Sequence, residues 1–116
     1  MISRKNRFRG HRSLDIVYKK GRTTKAGPLS MRYLSSQRGD YRLAVVVSKK
    51  VSKSAVKRNR IRRRVFELFR KEHKDQNKPL SYDVIISVFN EEVANMSADK
   101  LAKIFDKLLQ NARLKS

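Results

Sequence analysis

Residues 57–70 read KRNRIRRRVFELFR. Six of these residues are arginine, Lys57 adds a seventh cation, and Glu67 is the one acid among them. Ile61, Val65, Leu68 and Phe69 recur at i, i+4, i+7 and i+8, which predicts an amphipathic helix. At 3.6 residues per turn those four side chains fall within roughly 100° of arc. Cations cover nearly all the remaining circumference. A merely solvated helix alternates acids and bases to gain i,i+4 pairs, but Arg58–Arg62 and Arg60–Arg64 are like pairs at that spacing and repel. A polyanion would relieve the repulsion. Arginine also outnumbers lysine, and its planar fork can grip a phosphate through two hydrogen bonds or stack on a base.

On either side of this helix lie apolar, β-branched runs, YRLAVVVS (41–48) and YDVIISVF (82–89), which predict buried strands. A β-α-β passage of this kind implies that the two strands are parallel. Upstream, LSMRYL (29–34) alternates, with Leu29, Met31 and Tyr33 on one face and Ser30, Arg32 and Leu34 on the other. SSQRGD (35–40) reads as a turn, so strands 29–34 and 41–48 are expected to form a hairpin. On the 41–48 strand Ala44, Val46 and Ser48 share one face, and Val45 and Val47 are expected to face the core. RTTKAGP (22–28) reads as a loop. In SLDIVYKK (13–20), Leu14, Val17 and Tyr18 fall at helical spacing, with Ser13 as a candidate N-cap and Gly21 as the stop. NKPLS (77–81) breaks the arginine helix. Ser97 starts a last helix, with Asp99 in its first turn and a stripe of Leu101, Ile104, Phe105, Leu108 and Leu109. The connector after residue 48 leaves room for a third strand. The expected fold is α+β, a single domain over 1–116 in the order α-β-β-β-α-β-α, with a small mixed sheet and packed helices. Residues 1–7 are expected to be a flexible basic N-terminus.

The 116 residues suffice for one domain with a modest core. Thirty Lys and Arg against ten Asp and Glu give +20. Nine cations precede residue 27 and eleven lie between Lys49 and Lys71, so the charge belongs to the folded body rather than to a tail. Nucleic acid is the first candidate partner, ahead of an anionic membrane surface. The absence of cysteine excludes disulfides and thiolate metal sites, which fits a cytoplasmic location. LAVVV (43–47) and VIISVF (84–89) are too short to span a bilayer, and MISRKNRFRG lacks the apolar segment of a secretory signal. His11 and His73 sit in no recognisable motif. DQNKPLSYD (75–83) and NEEVAN (90–95) read as polar loops rather than metal sites.

SKKVSKSAVKRNRIRRRVFELFR (48–70) resembles the central motif of the protein component of bacterial ribonuclease P. The matching positions are Ser48, Lys49, Lys50, Lys53, Arg58, Asn59, Arg60, Ile61, Arg62 and Arg63, with Glu67, Phe69 and Arg70 closing the pattern. SLDIVYKKGR resembles the family's first helix, YDVIISV its last strand and LAKIFDKLLQNA its terminal helix, so the resemblance spans roughly residues 8–112. Phe66 stands where the family usually has arginine; it either stacks on RNA or widens the core stripe. Leu14 replaces one of two aromatics of the first helix and Tyr18 keeps the other. The aromatic of the first strand aligns to Arg32, with Tyr33 adjacent.

The resemblance implies a fold like domain 2 of ribosomal protein S5, with a left-handed β-α-β crossover. It implies a subunit of an endoribonuclease that hydrolyses a phosphodiester to release the 5′ leader of precursor tRNA, with catalysis carried by a partner RNA and Mg2+ held mainly by that RNA. No residue of the chain is then catalytic. Lys49, Lys50, Lys53, Arg58, Asn59, Arg60, Arg62, Arg63 and Arg70 would bind the catalytic RNA. Leu14, Tyr18, Arg32, Tyr33, Val46 and Ser48 would line the leader cleft between the first helix and the sheet. No membrane and no obligate protein partner are expected. The other function class compatible with the composition is a non-catalytic, ribosomal-type RNA-binding protein.

Overall fold

A computed structural model describes residues 8, 11–36, 41–74 and 81–112, and of 11–13, 73 and 74 the backbone alone. The parts of the SSQRGD turn, the NKPLS break and the basic N-terminus that fall in 37–40, 75–80 and 1–7 lie outside these residues. The elements are α1 (His11–Lys20), β1 (Arg22–Ala26), β2 (Leu29–Ser35), β3 (Arg42–Val47), α2 (Ala55–Lys74), β4 (Tyr82–Val88) and α3 (Ala98–Asn111), with a 3-10 turn at Glu91–Ala94. The α-β-β-β-α-β-α order is as expected, and the domain is α+β.

The sheet runs β1-β2-β4-β3. β3 and β4 are parallel, as the helix between them requires. The expected hairpin of β2 with β3 does not form, because β4 lies between them and pairs antiparallel with β2. The reason is burial. Val84, Ile85, Ile86 and Val88 are all buried, so β4 is apolar on both faces and takes a central place. The hairpin is instead β1–β2, where Ala26 pairs with Leu29 across Gly27 and Pro28. Gly27 has φ +55°, the positive φ that a primed two-residue turn needs at its first position. RTTKA is therefore an edge strand rather than a loop, and the third strand precedes β2 instead of following β3.

One face of the sheet carries Leu29, Met31, Leu43, Val45, Val47, Val84, Ile86 and Val88 into the main core. α2 packs over β3, and α3 over β1 and β2. Ile61, Val65 and Phe69 of α2 meet Leu101, Phe105, Leu108 and Leu109 of α3 in that core. Phe69 sits between Tyr41 (4.9 Å between ring centroids) and Phe105 (6.2 Å). The Ser97 hydroxyl caps α3 by accepting from the Lys100 N–H at 3.2 Å. α1 begins at His11, so Ser13 lies inside the helix and is not its cap. Its stop is Gly21, whose N–H donates to the Val17 carbonyl at 2.8 Å. A Cβ at Gly21 would sit 2.5 Å from that oxygen and 2.9 Å from the Tyr33 carbonyl, so only glycine fits this close approach.

Residues 91–94, expected as polar loop, form the 3-10 turn. Val93 and Ala94 are buried, and the Asn90 side chain accepts from the Glu92 N–H at 2.9 Å. Two buried small residues in EEVA were too weak a signal against the flanking acids and amides.

Candidate nucleic-acid interface

The second face of the sheet holds the groove. Its rows follow from the register: Arg32, Ile85 and Ala44 point the same way, as do Ser30, Ser87 and Val46. α1 packs over β2 and β4 on this face. Val17 and Ile85 are buried there, outside the main core cluster. The corresponding face of β3 stays open: Ala44 is half-buried, Val46 is 41% exposed and Ser48 is exposed. The alternation expected for residues 44–48 therefore holds.

Arg32 fixes α1 to the sheet. Its Nε donates to the Val17 carbonyl at 3.1 Å, its Nη2 to the Tyr18 carbonyl, and its Nη1 to the Thr23 hydroxyl at 2.7 Å. The guanidinium thus adds donors to two carbonyls at the C-terminal end of α1, of which that of Val17 also accepts from the Gly21 N–H, and the helix dipole favours a cation there. Leu14 is half-buried and Tyr18 is 47% exposed. Tyr33 lies on the opposite face from Arg32, packed against the core with its ring 6.1 Å from that of Tyr82. It does not line the groove. One step of strand alternation separates the two residues and decides which of them meets α1.

At the end of the groove away from β1, a bidentate pair joins Arg42 to Asp83, Nε to Oδ1 at 3.0 Å and Nη2 to Oδ2 at 2.9 Å. The Phe8 ring lies against the same guanidinium, 5.2 Å from Cζ to centroid. Sequence reading had no signal for this pair, since the two residues are 41 positions apart.

The cationic surface continues through the β3–α2 connector, where Lys49, Lys50 and Lys53 are all exposed. The turn is held by the Ser48 carbonyl, which accepts from the N–H groups of Val51 (3.1 Å) and Ser52 (3.3 Å). Ser54 caps α2 by accepting from the Lys57 N–H at 3.2 Å. Arg58 Nη1 donates back to the Ser52 carbonyl at 2.9 Å, so this arginine also braces the connector. Arg62 donates to the Asn59 side chain at 2.9 Å, which aligns two of the expected RNA contacts on neighbouring turns. Arg63 is exposed. Arg70 is paired with Glu67 at 2.9 Å, and both are exposed.

The arginines of α2 do not all play one part. Arg60 reaches the Asn95 side chain at 3.2 Å. Arg64 donates to the carbonyls of Val93 (2.6 Å) and Met96 (2.5 Å) and clasps the 3-10 turn onto α2. Phe66 is half-buried and packs against the core, so of its two readings the structure favours a widened apolar stripe. Between α2 and α3 lies a surface cavity of about 480 Å³, with Leu68 and Leu101 in its lining and Arg63, Arg70 and Lys71 around them.

Two exposed apolar residues on or beside the groove were not anticipated, Ile16 on α1 and Phe89 just past β4. No helix among the described residues is long and apolar enough to cross a membrane.

This architecture matches known proteins along its length. The family model Ribonuclease P covers residues 2–113. The ribonuclease P protein component of Synechococcus sp. (strain RCC307) is 29% identical over 98% of this chain and 97% of its own. That of Pseudanabaena sp. (strain PCC 6903) is 41% identical over 60% of this chain and 61% of its own. The Staphylococcus aureus RNase P protein structure superposes with a TM-score of 0.75 at 26% identity, covering 92% of this chain and 94% of that one. The Thermotoga maritima RNase P protein shares the fold, with a TM-score of 0.77 at 22% identity over 90% and 96% of the two chains. With the family model spanning nearly the whole chain, and with a basic helix beside an open groove, the chain belongs to the ribonuclease P protein family and is a protein subunit of that endoribonuclease.

Proposed function

We propose that the chain binds the RNA subunit of ribonuclease P through Lys49, Lys50, Lys53, Arg58, Asn59, Arg62 and Arg63, and holds the 5′ leader of precursor tRNA in the groove between α1 and β3. The observation that carries this reading is the pairing of two adjoining surfaces of different character. One is a helix that exposes Arg63, and Arg58 and Arg62 in part, which suits a folded phosphate backbone. The other is a groove of small side chains, Ala44, Val46 and Ser48, beside the exposed ring of Tyr18. That combination suits single-stranded RNA with little sequence preference. Arg60 and Arg70 contribute charge while engaged with Asn95 and Glu67.

Hydrolysis needs an activated water and a stabilised leaving oxygen, which Mg2+ supplies. We assign the metal to the RNA. Among the described residues no three histidines or carboxylates converge, and Asp83 and Glu67 are held by arginines. The protein's part is binding and orientation, carried out in the cytoplasm.

Reconstitution with a bacterial ribonuclease P RNA tests this. At near-physiological Mg2+ the protein raises cleavage of leader-bearing precursor tRNA well above that by the RNA alone. Absence of any gain refutes the reading, and co-sedimentation with ribosomal subunits through a high-salt wash would then favour a ribosomal role.

A further inference from the structure

We propose that Phe89 is a stacking platform for one unpaired leader nucleobase and extends the groove beyond the reach of α1. The proposal rests on the reading that the groove holds the leader.

The β2–β4 ladder continues one residue past β4: the Phe89 N–H donates to the Pro28 carbonyl at 2.9 Å. Strand alternation therefore carries the side chain of Phe89 to the face of Ile85 and Ser87, while Val88 is buried in the core on the other face. The parallel register of β3 with β4, extended by one, brings Ser48 alongside. The ring is 64% exposed. Ile85, beneath α1, is four residues away, about 13 Å along the strand.

A single exposed apolar residue is ordinary on a protein surface. Three features set Phe89 apart. It is a full aromatic ring on an ordered ladder position rather than a loop tip. It continues an apolar surface, since Val46 in the preceding row of the same face is also exposed. The neighbouring groove positions Ser30, Ser87 and Ser48 are small, so a base can lie flat on the ring. Lys49 and Lys50 follow Ser48 directly and are exposed, so the ring adjoins the cationic connector. Aromatic faces beside a cationic track are what sequence-tolerant single-strand binding requires.

The test uses the reconstituted holoenzyme with Phe89→Ala and Phe89→Trp, a series of precursor tRNAs with leaders of graded length, and mature tRNA. For Phe89→Ala, affinity for long-leader precursors falls about tenfold, the scale of one stacked base. Mature tRNA and precursors whose leader is too short to reach the ring bind as before, and Phe89→Trp restores the loss. Wild-type affinity retained across the series overturns the proposal, as does an equal loss for mature tRNA. A loss confined to assembly with the RNA subunit also overturns it, because the base would then belong to that RNA. Should wild-type affinity itself ignore leader length, the leader-groove reading fails, and this proposal with it. A leader-length dependence that survives Phe89→Ala removes the Phe89 platform alone. Thermal melts of the variants accompany each measurement, and this exposed position leaves them unchanged.

Discussion

Arg32 of β2 donates to the Val17 carbonyl of α1 at 3.1 Å, across the face of the sheet that the groove occupies. Two further donors reach the Tyr18 carbonyl and the Thr23 hydroxyl. The position aligned with a family aromatic is thus occupied here by a cation spent on positioning. Arg32→Met keeps much of the aliphatic stem and removes all three donors. Hydrogen bonds from charged groups contribute about 1.5–3 kcal/mol each at most, and less when exposed, so we expect a loss of about 2 kcal/mol in urea unfolding. Leader-dependent affinity should fall with it, because Tyr18 rides on α1. Unchanged leader discrimination in a destabilised variant would separate the two roles.

Tyr18→Ala tests the other rim of the groove. Removing a stacking ring costs about 1–3 kcal/mol per base. We expect weaker binding of leader-bearing precursor with mature tRNA unaffected. Filter binding of both substrates to the holoenzyme decides it, and equal losses would take Tyr18 out of the leader site.

Arg64 and its neighbours on α2 should separate by assay. Arg64→Ala frees the carbonyls of Val93 and Met96 and should cost about 2 kcal/mol of stability with little change in the salt dependence of RNA binding. Arg62→Ala and Arg63→Ala should do the reverse. Their melting curves stay near wild type, while the slope of log affinity against log salt falls by about one per lost phosphate contact.

Phe66→Ala removes a half-buried ring that packs on the core beside α2. We expect roughly 2 kcal/mol of destabilisation from the lost apolar burial, with the salt slope of RNA binding preserved. A stable variant with weakened RNA affinity would mean that the ring faces the RNA after all.

Gly21→Ala places a Cβ against two backbone carbonyls, neither of which can swing away as a side chain would. A loss of about 1–3 kcal/mol in denaturant unfolding is expected from this overpacking. A wild-type midpoint would show that α1 can end differently.

Much of this was legible in the order of residues, because it is local. The 3.6-residue stripe of Ile61, Val65, Leu68 and Phe69 set α2, the alternation of Ala44, Val46 and Ser48 set the open face of β3, and Ser97 and Gly21 marked helix ends through their own backbone chemistry. The charge that makes nucleic acid the first candidate partner is a property of composition and needed no fold. Strand order was different. Nothing local in RTTKA marks a strand, since its residues are mostly exposed and only pairing with β2 holds them extended. The insertion of β4 between β2 and β3 follows from burying both its faces at once, which is a property of the assembled sheet. The same holds for the arginines. Equal in sequence, Arg32, Arg64 and Arg63 become a helix anchor, a turn clasp and a free cationic surface only when carbonyls far along the chain are brought within reach of two of them.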